Sequence, residues 1–260
     1  MMTMMFSVMY RVTIIKQILN FKGDSGLPDS FMLGDRVSSD PLTIANAFND
    51  YFTDIGPTLA NKIPHSSKTM GEFMPHPPSC SFGLLPTSPQ EVMEVAALMG
   101  KSVSTGAHDI NPTIAISTIS LIATPLTSII NSSFKHGLVP TDLKIAKITP
   151  IFKAGDKNLI TNYRPISVLP FFSKIMEKLM ANRLTAYLSK YVPISATQYG
   201  FQRGLSTYMA LMDMQTNISE AMNQNKFSLG VFFDISKAFD TVNHKLLIKK
   251  TRILWNKRNC

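Results

Sequence analysis

Apolar residues along this chain recur at a helical spacing in some stretches and as short unbroken or alternating runs in others, and the two patterns mark out its elements. After Asp40-Pro41, which supplies an N-cap and a first helical position, Ile44, Phe48, Phe52 and Ile55 fall on one face. Ser88-Pro-Gln-Glu91 reads as a capping box opening a helix over 89–99, with Val92, Val95 and Met99 inside and Gly100 as its stop. Phe172, Ile175, Met176, Leu179, Leu184, Tyr187 and Leu188 make a long stripe that ends at Pro193. Another helix, capped by Ser206, is expected to run to about Asn225 with Leu211, Met214, Ile218 and Met222 turned inward. Ile14, Ile15, Ile18 and Leu19 suggest a short helix before Lys-Gly-Asp-Ser-Gly breaks the run.

Strand patterns occupy 145–153 and 163–169, and the Ala-Gly-Asp-Lys between them predicts a hairpin. The uncharged run 227–233 reads as a buried strand that ends on a single carboxylate, Asp234, before helical spacing resumes at Ala238, Val242 and Leu246. Between the first two helices, seven prolines in 57–89 predict a linker or an extended wrapping segment. Residues 110–130 are 21 uncharged positions, but Pro112, Pro125 and seven Ser or Thr make them buried helix pieces and not a membrane span. The fold class expected is α/β in the α+β sense, with a helical and linker region over 1–142 and a mixed domain over 143–260.

Charge sharpens that division. Residues 1–142 carry 8 Lys or Arg against 11 Asp or Glu, whereas 143–260 carry 18 against 6, net +12. The second part is the one suited to a polyanion, although a solvated basic surface gives the same count. Cys80 and Cys260 are far apart and form no zinc-like cluster with His, which fits a reducing, intracellular compartment. The Met-rich start has no basic leader and is interrupted by Arg11, so no secretory signal is expected. His65 and His76 have no partner at ligand spacing.

Three places carry candidate chemistry. A carboxylate at the mouth of a buried strand, Asp234, can offer its oxygens to Mg²⁺ holding a substrate phosphate, or it can simply cap the turn that follows. Lys153 and Arg164, on the two arms of the hairpin, suit a triphosphate, Arg as a bidentate fork and Lys as a point charge. Spacing alone does not separate that role from ordinary surface charge. The Gly-rich basic stretch QYGFQRGLST, containing Gly200, Phe201 and Arg203, suits a single nucleic-acid strand.

Read together, these motifs resemble reverse transcriptases of non-LTR retrotransposons of the jockey-like, long-interspersed-element kind. FFDISKAFDTVNH is similar to the family's A motif, F-x-D-x-x-K-A-F-D-T-V-x-H. The resemblance implies that Asp234 is a catalytic metal ligand, with the carbonyl of Ile235 as a further ligand, that Phe239 excludes a ribonucleotide 2′-hydroxyl, and that Asp240 is a cap. PIFKAGDK…NYRPIS is similar to the fingers motif, whose cations contact the incoming nucleotide, here Lys153 and Arg164. QYGFQRGLST is similar to the next block, Q-x-G-F-R-x-x-x-S-T, with Gln202 where the pattern has Arg and Arg203 one position later. KSVSTGAHDI is similar to the K-S-x-G-x-D-x-I segment ahead of the polymerase core, one residue longer between Gly106 and Asp109.

The resemblance covers roughly 40–248 and implies the fingers and opening palm of a right-hand polymerase, with Mg²⁺, an RNA template, a DNA primer and deoxynucleoside triphosphates, and no membrane. The family's [FY]-A-D-D motif does not occur in the 260 residues, and KKTRILWNKRNC departs from the family's continuation. A truncated or frameshifted copy, without the usual endonuclease domain and inactive alone, is therefore the expectation. A non-catalytic nucleic-acid-binding remnant is the alternative. A dehalogenase-type phosphatase would want a second Asp where Ser236 stands.

Overall fold

The computed structural model of the protein describes residues 11–12, 27–64, 81–99, 110–192, 194–235, 237–239 and 242–254. The expectations for 14–19, His65, His76, 101–109, Asp240 and both cysteines lie outside the described residues. Strand β1 is Arg11–Val12, β2 Phe31–Leu33, β3 Arg36–Ser38, β4 Ile145–Phe152 and β5 Tyr163–Val168. The helices are α1 Pro41–Asn61, α2 Pro89–Leu98, α3 Pro112–Ser117, α4 Ile119–His136, α5 Phe171–Tyr191, α6 Thr207–Asn223 and α7 His244–Leu254. Strand and helix are thus mixed, as expected of an α/β chain.

The hairpin forms as its alternation predicts. β4 pairs antiparallel with β5, Lys147 opposite Val168 through Phe152 opposite Tyr163, and β1 adds in parallel at Ile145–Ala146. Ala146, Ile148 and Pro150 point inward. Pro150 and Pro165 face each other, so that rung has no N–H to donate. At the turn, Gly155 has φ +93° and an added Cβ would lie 2.8 Å from Asn162 Nδ2, so a side chain is disfavoured twice over. Asn162 Nδ2 in turn donates to the Asp156 carbonyl at 2.9 Å, holding the turn shut.

Among the described residues two cores are built, and each draws on residues from both sides of position 142. Phe31, Ile44, Ala45 and Phe48 pack with Ile148 and Tyr163, with the Phe31, Phe48 and Tyr163 rings edge to face at 5.2–5.6 Å. The other core joins Val92, Val95 and Ala96 of α2, Ala115, Ile119, Ile130 and Phe134 of α3 and α4, and Phe171, Ile175, Met176 and Leu179 of α5. The Asp40 carboxylate accepts from Thr43 N at 2.8 Å and caps α1 as its sequence indicates. α1 then continues through Pro57 to Asn61, a full turn into the stretch expected to be linker. Residues 110–130 are helix pieces, and among the described residues no helix is long and apolar enough to cross a membrane.

Ser88 accepts from Glu91 N at 3.2 Å, but the reciprocal half of the capping box is redirected. The Glu91 carboxylate instead accepts from Thr87 Oγ1 at 2.6 Å and from Arg183 of α5 at 2.8 and 3.0 Å. Arg183 also donates to the carbonyls of Leu85 and Pro86 and lies 5.5 Å from the Phe134 ring centroid. One guanidinium therefore ties 85–91 to α4 and α5. The Arg183 hydrogen bond holds the Glu91 carboxyl below its usual range. A folded-state pKa below the unfolded one gives stability that is present above the ordinary carboxylate range and drains away as pH falls through the folded value. Arg183→Ala is expected to cost about 1–3 kcal/mol in urea unfolding at neutral pH, with a smaller cost in acid.

Two expectations fail. The run 227–233 is not a strand and is not buried: Phe232 is 81% and Phe233 90% exposed, and the run has no ladder among the described residues. α6 forms with its Ser206 cap accepting from Met209 N, yet Leu211, Met214, Ile218 and Met222 are exposed and none of its residues is buried. Apolar patterning states what a segment could bury; burial needs an opposing surface, and no described element buries these two. Helical structure also resumes later than Ala238: 237–239 are turn, and Asn243 Oδ1 caps α7 by accepting from Lys245 N and Leu246 N at 3.0 and 3.2 Å.

Candidate active site

The β4–β5 hairpin, one flank of α1 and the turn after Asp234 bound an open cleft of about 740 Å³. Tyr51, Phe52 and Ile55 line it from α1, Lys153, Tyr163 and Arg164 from the hairpin, and Asp234, Ile235, Lys237 and Phe239 from the segment beyond 233. Lys153 is placed by the end of the ladder, where its N–H donates to the Asn162 carbonyl at 2.9 Å. Arg164 stands on β5 opposite Ile151, next to Tyr163, whose buried ring anchors that strand in the core. The hairpin thus carries both cations on a rigid base.

The opposite wall is less ordinary. Lys237 has φ +51°, a left-handed conformation uncommon for a side chain of this kind. Its Nζ donates to Tyr51 Oη at 2.6 Å and lies 4.9 Å from the Tyr51 ring centroid. Phe239 meets Phe201 edge to face, centroids 5.8 Å apart at 89°. Phe201 itself has φ +61° and is 95% exposed. Tyr199 donates to the Asp213 carboxylate at 2.7 Å, which fixes this loop on α6 and pushes the Tyr199 phenol up, since ionising it would cost that bond.

Of the residues singled out from sequence, Lys153, Arg164, Asp234, Ile235 and Phe239 therefore share one cleft. Phe201 reaches it through Phe239, whereas Gly200 and Arg203 lie in the adjoining loop and not in the lining. Tyr51 and Lys237 were not singled out. Lys237 could have been, as a cation three residues from the key acid; Tyr51 gave no signal, because it sits beside the apolar stripe of a distant helix.

Among the described lining residues three cations face one carboxylate, an arrangement that attracts a polyanion. Mg²⁺ takes six oxygens but commonly keeps several waters and substrate phosphates, so Asp234 and the Ile235 carbonyl fit one such ion with a phosphate ligand. They do not fit an all-protein cage: among the described residues no group of three His, Cys, Asp or Glu could hold a metal.

A cationic hairpin opposite a carboxylate and an aromatic, on a mixed α/β scaffold, has the charge to attract a polyanion. Comparison with known proteins is more specific: residues 151–254 match the reverse transcriptase (RNA-dependent DNA polymerase) family. The chain is 30% identical over 181 residues to a probable RNA-directed DNA polymerase from transposon BS of Drosophila melanogaster, 69% of this chain and 20% of that protein. It is 36% identical over 131 residues to the RNA-directed DNA polymerase from mobile element jockey of the same fly, 50% of this chain and 14% of that protein. To the retrovirus-related Pol polyprotein of type-1 retrotransposable element R2 of Popillia japonica it is 32% identical over 114 residues, 44% and 16% of the two chains. The chain thus carries a reverse transcriptase match over 151–254, is similar to polymerases of non-LTR retrotransposons, and spans a fifth or less of the length of these relatives.

Proposed function

We propose that this chain supplies the nucleotide-facing side of an RNA-directed DNA polymerase, the fingers and opening palm of a right-hand polymerase, over 143–260, with α1 of the preceding region as one wall. The observation that carries this reading is that Lys153, Arg164, Asp234, Ile235 and Phe239 line a single cleft. Lys153 and Arg164 hold the triphosphate of a deoxynucleotide, and Asp234 with the Ile235 carbonyl holds Mg²⁺, which when bound neutralises phosphate charge. Gly200, Phe201 and Arg203 lie along the template strand, and the concentration of net +12 in this part supports contact with RNA and a DNA primer. Such substrates fit an intracellular protein. The second reading, a nucleic-acid-binding segment without chemistry, is favoured by the lone carboxylate of the described cleft lining.

Phe239 is the residue that tests the substrate class. In this reading its ring, 76% exposed and in edge-to-face contact with Phe201, presses on the sugar edge of the bound nucleotide. Phe239→Ala or Phe239→Val should narrow the preference for dATP over ATP by about tenfold in a binding titration, since steric exclusion in a pocket is worth about 1–3 kcal/mol. An unchanged ratio in both variants would remove Phe239 from this role and count against the nucleotide cleft.

A further inference from the structure

We propose that Lys237 is a third polyphosphate contact of the cleft and that Tyr51, on α1, is its positioning residue. The inference rests on the nucleotide-cleft reading and adds to it two residues and a helix. Lys237 Nζ donates to Tyr51 Oη at 2.6 Å, and the same ammonium lies 4.9 Å from the Tyr51 ring centroid. Both residues line the cleft that holds Lys153, Arg164 and Asp234.

An ammonium has three donors, and the Tyr51 contact uses one. The remaining two have no partner among the described residues and can meet a phosphate oxygen, so the tyrosine steadies the cation without neutralising it as a carboxylate partner would. That distinction decides what the pair is for. A salt bridge would spend the charge inside the protein, whereas a neutral phenol oxygen holds the end of a flexible four-carbon stem and leaves its charge outward. The backbone points the same way: Lys237 keeps φ +51°, a conformation that a lysine rarely adopts and that persists only where the surroundings hold it. Tyr51 is itself tied to the hairpin, donating weakly to the Thr161 carbonyl at 3.5 Å. The three cations thus sit on two walls braced against each other, with room between them for a chain of phosphates.

The test is calorimetric titration of dATP, of inorganic tripolyphosphate and of a short oligoribonucleotide into the 260-residue chain at low salt with Mg²⁺. Lys237→Ala should weaken dATP and tripolyphosphate alike by about tenfold, one charge-assisted contact, and flatten the salt dependence of binding, while Lys237→Arg keeps affinity within about threefold. Tyr51→Ala should weaken dATP by about three- to tenfold in the native background and add nothing on top of Lys237→Ala, because the two act through one ammonium. Tyr51→Phe, which keeps the ring, should lie between. Lys237→Met retains the stem and serves in place of alanine if circular dichroism shows that alanine loosens the turn. The proposal is overturned if Lys237→Ala leaves dATP affinity unchanged while Lys153→Ala and Arg164→Ala lower it, a result that leaves the cleft reading intact. It is equally overturned if only the oligoribonucleotide is affected, or if Tyr51→Ala and Lys237→Ala are additive. Should none of the three cations matter, this inference and the nucleotide cleft fall together.

Discussion

Given an RNA template, a DNA primer, deoxynucleoside triphosphates and either Mg²⁺ or Mn²⁺, these 260 residues are expected to extend no primer. The reason lies in charge and geometry. Phosphoryl transfer with two metal ions needs both held about 4 Å apart by carboxylates that do not move as charge develops. Asp234 can offer one carboxylate, exposed at the lip of the cleft, and the described residues bring no further acid cluster to it. Without that fixed counter-charge, the transition state loses the electrostatic stabilisation that supplies most of the rate, where even one missing donor costs about a hundred- to a thousandfold. Activity should appear in a longer polypeptide that adds a strand bearing paired aspartates beside 227–233. In that polypeptide Asp234→Asn should abolish it. Template-dependent extension by the 260 residues themselves, lost on Asp234→Asn, would show that the carboxylate set is already sufficient.

Charge reversal at both hairpin cations, Lys153→Glu with Arg164→Glu, is the other large effect. Each charge-assisted contact to a phosphate is worth about 1.5–3 kcal/mol, so the double variant should weaken dATP binding about a hundredfold or more. RNA binding should fall far less, because it draws on the 18 cations of 143–260 and not on two. Its affinity should still decline steeply with added salt, by roughly 0.7 of a power of salt concentration for each phosphate contacted on a single strand. Parallel filter-binding and nucleotide titrations separate the two effects. Equal losses for dATP and RNA would make the hairpin part of a general basic surface, and RNA binding indifferent to salt would count against an electrostatic mode altogether.

Helix ends show where local reading of the chain was sufficient. Caps at Asp40, Ser88 and Ser206, and the stripe of α5, follow from a few neighbouring residues, since an unsatisfied helix N–H and a one-sided apolar face have local solutions. The β4–β5 hairpin is equally local: Gly155 permits the turn, and alternation sets which side is inward. Along the chain, Asp234, Lys153, Arg164 and Phe239 were legible as candidates because their motifs stand in order, with charge and aromatic positions at fixed spacing.

What the sequence could not decide was which surfaces meet. The run 227–233 and the stripe of α6 have compositions that would be buried against a neighbouring layer, yet Phe233 and Leu211 are exposed because no described element provides that layer. Glu91 was read as half of a local capping box, and Arg183, 92 residues away, took its carboxylate instead. The Tyr51–Lys237 contact spans 186 residues and leaves no trace in either local pattern. Such pairings are decided when α1 and the hairpin pack around Phe48 and Tyr163, which brings the flank of a helix expected to belong to a separate region up to the cleft. Periodicity and caps are written in the free energy of a few adjacent residues, whereas burial and long-range hydrogen bonds depend on what the rest of the chain places opposite them.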